Sequence, residues 1–275
     1  MAREPDRYAL IGHPVAHSWS PFIHGLFAQQ FGHEIQYKLL DVPPDRFRKA
    51  VIDFFVDGGR GLNITVPHKQ AAAELVNELT PRAERAKAVN TIFVPDRTTL
   101  VGDNTDGVGL VKDLLQNLQL HLSGKRVLIL GAGGAVRGVL APLLGERLAL
   151  LHVANRTPEK ALELVRDFSD LGPIESSGFD ALPAAHWDLV INATSANLSG
   201  EVPGLAGSAL GPETICYDMA YGRGETPFQL WAKAQGVTRT YKGWGMLVEQ
   251  AAESYLLWRG VRPDPRPVLE ALTTL

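Results

Sequence analysis

The sequence predicts an α/β protein with two domains. Its 275 residues exceed one typical domain, and 45% hydrophobic against 21% charged residues are enough for a sizeable core. Short apolar runs alternate with longer amphipathic ones from end to end, which indicates strand–helix–strand units around mostly parallel sheets. A polar stretch at residues 121–125 interrupts the alternation, and a new strand pattern starts at Arg126.

The first domain is predicted to begin with a strand and to add four more, at residues 8–12, 35–42, 61–66, 90–94 and 98–102. A helix begins at Ser20-Pro21, with serine as the N-cap and proline at the first helical position, where its missing N–H costs nothing. A second helix is predicted at residues 44–55, and a helical stretch precedes residue 90.

A long amphipathic helix at residues 106–119 leads into the second domain. Strands are predicted there at residues 126–131, 148–155, 188–194 and 214–219, with a helix at 136–144. Apolar residues at helical spacing indicate one more helix at residues 246–259. We therefore expect one domain at residues 1–106, a second at 107–245, a cleft between them, and C-terminal helices at 246–275 that fold back on the first domain.

Composition excludes several classes of partner. The net charge is −3, and no basic stripe indicates binding to nucleic acid or to a membrane. Residues 8–33 lack charged side chains, but two prolines and four histidines there are incompatible with a membrane span. Cys216 is the only cysteine, so no intrachain disulfide forms, and we interpret it as a buried strand residue. With no signal peptide visible, we expect a cytoplasmic protein.

A glycine-rich run lies between a buried strand and a helix, at Gly131, Ala132, Gly133, Gly134 and Ala135. Glycine allows the backbone to turn tightly and approach a pyrophosphate, which then meets the N–H groups and dipole of the helix. The run therefore predicts a dinucleotide site. A merely structural glycine turn is the alternative, because Val136 stands where a third small residue is usual.

The next strand of this unit ends at Asn155-Arg156-Thr157. A site for NAD normally has an acidic residue here to bind the ribose 2′-hydroxyl, whereas an arginine suits the 2′-phosphate of NADP. Arg156 therefore favours NADP. An exposed surface arginine is the alternative, and the nearby Glu159 leaves NAD open.

A pair of polar side chains, Asn63 and Thr65, shares one face of the third predicted strand, with Lys69 just beyond its end. Open α/β sheets bind ligands at this end of their strands, so the segment is a candidate substrate site. A polar edge strand with a solvated lysine would show the same pattern.

A second polar cluster, Gly102-Asp103-Asn104-Thr105-Asp106-Gly107, stands at the mouth of a predicted helix, whose dipole favours ionised carboxylates. Taken alone, it is equally a turn with an N-cap. His13 and His17 are four residues apart, but Pro14 lies between them in a loop, so no metal site is predicted there.

Together these motifs make the chain similar to the shikimate dehydrogenase family over essentially its whole length. The segments that carry the resemblance occur in order at residues 16–21, 63–69, 88–91, 102–107, 131–137, 155–157, 217–219 and 245–251. The resemblance implies a substrate domain followed by a Rossmann-type NADP-binding domain. It also implies reversible reduction of 3-dehydroshikimate to shikimate with NADP, in aromatic amino-acid biosynthesis.

The resemblance also implies roles for individual residues. Lys69 and Asp106 would flank the reacting oxygen as catalytic residues. The polar substrate would be bound by Ser18, Ser20, Asn63, Thr65, Asn90, Tyr221 and Gln250. The cofactor would be bound by Gly131, Ala132, Gly133, Gly134, Ala135, Asn155, Arg156, Thr157, Met219 and Gly243.

The chain departs from the family pattern at two places. Asn197 follows Asn192-Ala193-Thr194-Ser195 where glycine is usual, and Lys242-Gly243-Trp244-Gly245 replaces a more usual acidic-Gly-Leu-Gly. Both departures concern the cofactor side. Two other functions remain open at this point: an NAD-preferring quinate/shikimate dehydrogenase, and a non-catalytic regulatory relative that binds shikimate and NADP. The sequence is compatible with a monomer or a homodimer.

Overall fold

The computed structural model describes residues 4–96, 98–194 and 210–274, and it confirms the α/β fold class. The chain divides into two compact units: Met1–Gly109 with Val248–Thr274, and Leu110–Leu247. Each unit contains a six-stranded sheet with helices. None of the described helices is long and apolar enough to cross a membrane.

The first unit is built on a mixed sheet with the strand order β2-β1-β3-β5-β6-β4. Its strands are β1 Asp6–Gly12, β2 Ile35–Asp41, β3 Gly59–Ile64, β4 Glu78–Leu79, β5 Thr91–Phe93 and β6 Val101–Asp103. Its helices are α1 Ser20–Phe31, α2 Phe47–Val56, α3 Lys69–Leu75 and α4 Pro81–Ala86, and α5 Asp106–Lys112 begins in it. β1, β2 and β3 run parallel, and β5 is antiparallel to both of its neighbours.

The second unit is built on a fully parallel sheet with the order β12-β11-β10-β7-β8-β9. Its strands are β7 Arg126–Leu130, β8 Leu150–Ala154, β9 Ile174–Ser177, β10 Leu189–Asn192, β11 Ile215–Asp218 and β12 Arg239–Lys242. Its helices are α6 Gly134–Gly145, α7 Pro158–Phe168 and α8 Pro227–Ala234. Helix α9 Trp244–Arg259 leads back to the first unit, which ends with α10 Arg266–Thr273.

The central strand of the second unit shows why parallel strands read as unbroken apolar runs. Val127 and Ile129 pack into one apolar cluster of the unit. Leu128 and Leu130, which alternate with them, pack into another cluster that includes Trp187 and Phe228. Since both faces of β7 are covered, both sets of side chains must be apolar. A glycine at residue 131 then ends the strand at the point where the chain turns into α6.

Among the predicted boundaries that were wrong, two differ because a side chain bonds locally to the backbone. Helix α1 takes Trp19 as its N-cap rather than Ser20, and the Ser20 N–H instead donates to Ser18 Oγ. The predicted strand at 98–102 begins only at Val101, because the N–H groups of Thr98 and Thr99 donate to Asp96 Oδ1 and form a turn.

Candidate active site

A buried ion pair joins two of the residues expected to carry the chemistry. Lys69 Nζ donates to Asp106 Oδ2 at 2.5 Å, and the side chains are only 13% and 7% exposed. Lys69 is the first residue of α3 and Asp106 the first residue of α5. An ammonium group with one fixed carboxylate partner and three donors retains hydrogen-bonding capacity toward a ligand oxygen.

Hydrogen bonds to neighbouring segments hold both Lys69 and Asp106 in position. The Lys69 carbonyl accepts from the Val89 N–H at 2.8 Å, which ties the start of α3 to the segment before β5. Asn104 Oδ1 accepts from the Asp106 N–H at 3.1 Å, and Asn104 Nδ2 donates to the Ala88 carbonyl at 3.0 Å. The turn that begins α5 is therefore fixed against the segment that holds Lys69.

Asn90 connects the ion pair to its polar surroundings. Its Nδ2 donates to Asp106 Oδ1 and to Thr105 Oγ1, each at 2.8 Å, and lies 3.4 Å from Gln250 Oε1. Its Oδ1 accepts from the Thr105 N–H at 2.9 Å. Asp106 therefore receives a charged donor on one oxygen and a neutral donor on the other, which fixes the plane of its carboxylate.

Asn63 is saturated by the protein. Its Nδ2 donates to Ser254 Oγ at 3.1 Å, to Thr91 Oγ1 at 3.2 Å and to the Asn90 carbonyl at 3.3 Å. Its Oδ1 accepts from the Tyr37 hydroxyl at 2.8 Å. The structure thus places Asn63, a residue of β3, beside Asn90, where its side chain is part of the polar cluster.

The remaining expected substrate residues of the first unit differ in how they are held. Ser18 Oγ donates to Ser20 Oγ at 3.1 Å, so the two serines form one local group at the start of α1. Thr65 follows β3, and its N–H donates to the Ile11 carbonyl at 2.9 Å. Gln250 Oε1 lies 3.4 Å from Thr105 Oγ1 as well as from Asn90, so it joins the cluster around Asp106.

Sequence reasoning missed two hydroxyl residues of this cluster. Ser254 is fully buried, and its Oγ lies 2.7 Å from Thr91 Oγ1 and 3.3 Å from Thr105 Oγ1. The signal was present only in the spacing of α9, where Ser254 stands one turn after Gln250 and its Oγ donates to the Gln250 carbonyl. Thr91 directly follows Asn90 and was not recognised as its partner.

A chain of alternating charges supports the turn before Asp106 and was also missed. Arg82 binds both oxygens of Asp103, at 2.6 and 2.7 Å, and Asp103 Oδ1 also accepts from the Asn104 N–H. Arg82 continues to Glu253 at 3.2 Å, and Arg262 joins Glu253 and Glu249, each at 2.7 Å. Burial alone would lower the pKa of Arg82, but the carboxylates of Asp103 and Glu253 raise it above its ordinary value.

A buried imidazole packs behind Asn63. His24 stacks on Tyr37 with ring centroids 4.6 Å apart, and burial lowers its pKa to about 3. It is therefore neutral at physiological pH and acts as an aromatic core residue.

The glycine-rich run of the second unit has the geometry of a close backbone approach. Gly131 has a φ of 112°, and a Cβ there would lie 3.1 Å from the Ala193 carbonyl oxygen. Gly133 is the N-cap of α6, and no side chain caps the first turn of that helix. The N–H groups at the start of α6 are therefore oriented as a phosphate site requires.

The three residues after β8 form a compact turn. Asn155 Nδ2 donates to the Thr157 carbonyl at 2.9 Å, and Thr157 is the N-cap of α7 without a capping bond from its own side chain. Arg156 is exposed, and among the described residues its guanidinium has no ion-pair partner. The turn thus presents a free cation beside a helix N-terminus, which suits an anionic group.

The expected residues after β11 and β12 lie against each other. The Gly243 N–H donates to the Ala220 carbonyl at 2.9 Å, and a Cβ at Gly243 would collide with the Met219 carbonyl group. Tyr221 packs on Trp244, with ring centroids 5.2 Å apart. Lys242 Nζ donates to the carbonyls of Gly222 and Gly224. Ser195 and Asn197 lie outside the described residues.

Within the described residues, no group of three or more His, Cys, Asp or Glu side chains could hold a metal ion. His13 Nδ1 instead bonds to the Asp41 carboxylate, and His17 takes no part in that contact.

Comparison with known proteins identifies three matching family descriptions along the chain. Residues 10–92 match the "Shikimate dehydrogenase substrate binding domain". Residues 112–199 match "Shikimate / quinate 5-dehydrogenase", and residues 243–273 match the "Shikimate 5'-dehydrogenase C-terminal domain".

Individual relatives cover almost the whole chain. The curated shikimate dehydrogenase (NADP(+)) of Methylococcus capsulatus is 54% identical over 98% of this chain and 96% of its own length. The crystal structure of an Ael1 enzyme from Pseudomonas putida is 45% identical, with a TM-score of 0.90 over 97% of this chain and 98% of that one. The crystal structure of the Thermus thermophilus shikimate 5-dehydrogenase in complex with NADP(H) and shikimate is 33% identical, with a TM-score of 0.85 over 98% and 99%. The chain belongs to the shikimate dehydrogenase family.

Proposed function

We propose that this protein catalyses the reversible NADPH-dependent reduction of 3-dehydroshikimate to shikimate. The observation that carries the proposal is the buried ion pair between Lys69 and Asp106, set among Asn90, Thr105 and Gln250. The curated relatives at 50–54% identity are named NADP(+)-dependent shikimate dehydrogenases, which supports the same reaction here.

The second unit fits NADP as the cofactor. Gly131 leaves room for the close approach of a pyrophosphate, and the uncapped first turn of α6 offers N–H donors. Arg156 and the start of α7 suit the ribose 2′-phosphate. We assign Gly131, Ala132, Gly133, Gly134 and Ala135 to the pyrophosphate, Asn155, Arg156 and Thr157 to the adenosine ribose phosphate, and Met219 and Gly243 to the nicotinamide side. When bound, the nicotinamide supplies or accepts the hydride.

Lys69 provides the proton. Reduction places negative charge on the oxygen of the reacting carbonyl, and the Lys69 ammonium stabilises that charge and donates a proton from Nζ to the oxygen. In the oxidation direction Lys69 accepts the proton from the hydroxyl. A positioned acid–base group of this kind contributes roughly 10²–10⁴-fold in rate.

Asp106 orients the Lys69 ammonium group. Because Asp106 Oδ1 accepts from Asn90, the carboxylate presents its other oxygen to Lys69 at 2.5 Å. The side chains are mostly shielded from water, so the interaction is stronger than at a surface.

The polar side chains of the first unit match a small carboxylated polyol. From this unit we assign Ser18, Ser20, Asn63, Thr65, Asn90 and Gln250 to substrate binding, and from the second unit we assign Tyr221. Since both ends of the Asn63 amide already have protein partners, a substrate must replace or share one of these bonds. Losing one of these hydrogen bonds costs free energy unless the ligand replaces it. A ligand hydroxyl, which can donate and accept, is therefore favoured over an apolar group.

These assignments give each part of the chain a role. We propose that residues 1–106 with the helices at 246–275 bind the substrate and carry the catalytic pair, and that residues 107–245 bind NADP. A small-molecule substrate and this cofactor require no nucleic acid or membrane partner. We further propose that the protein is cytoplasmic and is a monomer or a homodimer. Light scattering after size exclusion would distinguish these two oligomeric states.

The test is the initial rate of shikimate oxidation with NADP⁺, compared with NAD⁺ and with quinate. We expect fast turnover only with shikimate and NADP⁺, and loss of turnover in Lys69→Ala. Lys49→Ala is the matched control, because Lys49 is 80% exposed and pairs with Asp53 one turn away on α2. Comparable rates with NAD⁺ or quinate would instead support an NAD-preferring quinate/shikimate dehydrogenase. Binding of shikimate and NADP⁺ without turnover would support a regulatory relative.

A second measurement separates proton transfer from positioning. The pH–rate profile of Lys69→Ala and Asp106→Asn should lose the limb that reports the catalytic acid, with kcat reduced far more than affinity. If both variants keep near-normal kcat and lose only affinity, Lys69 does not transfer the proton.

A further inference from the structure

The loop between β11 and α8 carries Tyr221 and is held in its middle by a lysine. Lys242 Nζ donates to the Gly222 carbonyl at 2.8 Å and to the Gly224 carbonyl at 2.7 Å. Lys242 is the last residue of β12, opposite Asp218 in the sheet register. The ammonium group thus joins the end of β12 to Gly222 and Gly224 of the loop by hydrogen bonds.

The next two residues contact the same loop. Gly243 approaches Met219 so closely that any Cβ would collide with the Met219 carbonyl, and its N–H donates to the Ala220 carbonyl. Trp244 packs its ring on Tyr221, with an interplanar angle of 38°. Each of the three consecutive residues 242–244 therefore contacts the loop that carries Tyr221.

Tyr221 itself offers a hydrogen-bond donor. Burial raises the pKa of its phenol above the ordinary value of 10.0, so the group keeps its proton at physiological pH. Within the described part of the chain, the hydroxyl has no hydrogen-bond partner in the protein. A partly buried phenol of this kind is available to a ligand oxygen.

We propose that Lys242 and Trp244 are positioning residues that hold the Tyr221 hydroxyl for a hydrogen bond to the polar substrate. The proposal rests on the proposed function, in which Tyr221 binds substrate. Lys242 acts on the backbone on the C-terminal side of Tyr221, and Trp244 acts on its ring. Without these contacts, Tyr221 would be free to change rotamer, and binding would have to order it first.

The test is a double-mutant cycle between Lys242 and Tyr221, read from kcat and KM for shikimate with NADP⁺. We expect Lys242→Met and Tyr221→Phe each to lower kcat/KM for shikimate about fivefold, the order of one net hydrogen bond. Lys242→Met added to Tyr221→Phe should cost less than about twofold, because coupled residues are not additive. Lys242→Arg should restore most of the loss, since a guanidinium can also donate to two carbonyls.

Three further variants guard against a general structural effect. Lys233→Met is the matched control, because Lys233 is a half-exposed lysine that pairs with Glu225 near the end of the same loop. It should leave the kinetics unchanged. Trp244→Leu should resemble Lys242→Met, and Trp244→Phe should retain most of the activity because an aromatic ring still packs on Tyr221.

The ordering of Tyr221 is also measurable without turnover. In protein labelled with 3-fluorotyrosine, the fluorine resonance of Tyr221 is identified as the one that disappears in Tyr221→Phe. This resonance should broaden or shift in Lys242→Met and remain unchanged in Lys233→Met. Additive losses in the cycle, or an unchanged resonance in Lys242→Met, would overturn the inference. A wild-type protein that orders Tyr221 as described but does not oxidise shikimate would overturn the proposed function instead.

Discussion

The preference for NADP over NAD should depend on Arg156, and replacing this residue should affect the cofactor without affecting the fold. Arg156 is exposed and follows β8 at the start of α7. Because it has no ion-pair partner among the described residues, Arg156→Gln breaks no ion pair within them. We expect its free energy of unfolding to stay within about 0.5 kcal/mol of the wild-type value.

The size of the effect follows from the two groups that meet the phosphate. A hydrogen bond to a charged group contributes about 1.5–3 kcal/mol, and a helix N-terminus contributes about 0.3–1 kcal/mol. Only the first is lost in Arg156→Gln, and at this exposed position salt reduces it toward the lower limit. A loss of about 1.5–2 kcal/mol corresponds to a 10- to 30-fold lower kcat/KM for NADP⁺.

The assay compares kcat/KM for NADP⁺ and NAD⁺ in the same preparation. NAD⁺ lacks the 2′-phosphate, so its value should change by less than about twofold, and raising the salt concentration should narrow the wild-type preference. Arg166→Gln is the matched control, since Arg166 is an exposed arginine ten residues after Arg156 and roughly 12 Å along α7 from the first residue of that helix. Equal losses with both cofactors, or no loss with NADP⁺, would refute the assignment of Arg156 to the phosphate. Loss of NAD⁺ activity in Glu159→Gln would assign the ribose to Glu159 instead.

Three further predictions concern stability, pH and the glycine turn. Arg82→Met leaves the buried Asp103 carboxylate without its cation, so urea unfolding should show a loss of about 3 kcal/mol, whereas the mostly exposed Arg266→Met should show almost none. Similar losses in both would contradict the role of Arg82. Burial raises the pKa of the Cys216 thiol from 9.0 to about 12, so the native state keeps the proton longer than the unfolded state. Stability should therefore fall by about 1.4 kcal/mol per pH unit between these values, and the fall should be smaller in Cys216→Ala; equal slopes would contradict this. Gly131→Ala must accommodate a positive φ and a contact with the Ala193 carbonyl, so KM for NADP⁺ should rise while KM for shikimate stays constant. A parallel rise in both would indicate a general distortion.

The elements that could be predicted from the sequence are those with a strong local signal. The strands β1, β3, β7 and β11 are apolar runs with buried residues, and their order along the chain was sufficient to predict two parallel-rich sheets. The edge strands β9 and β12 were missed because they are short and carry exposed or partly buried polar residues, which do not form an apolar run. Helix α7 was also missed, although its buried positions Ala161, Leu164 and Phe168 have helical spacing.

The residues of the candidate site also differ in whether the sequence carries a local signal for them. Lys69 and Asp106 could be proposed as ligand-site residues because each stands at the end of a recognisable element, where ligands of α/β proteins bind, and the family resemblance implied their catalytic role. Ser254 and Arg82 were not found, because their partners lie far away in sequence: Ser254 contacts Thr91, and Arg82 contacts Asp103 and Glu253. A serine within a helix and an arginine in a short helix give no local sign of such contacts. Only the fold brings these residues together.

The turn before α5 shows why two interpretations of one motif need not compete. From the sequence, the segment at residues 102–107 was equally a capped helix start or a catalytic cluster. In the structure Asn104 Oδ1 accepts the Asp106 N–H, while the Asp106 carboxylate is left to bind Lys69 and Asn90. Capping by Asn104 thus frees the Asp106 side chain from the role it would otherwise have at a helix N-terminus. Asn104→Ala should therefore weaken the helix start and misplace the Asp106 carboxylate together, lowering stability and kcat in the same variant, whereas Asn104→Asp, which keeps the accepting oxygen, should retain more of both.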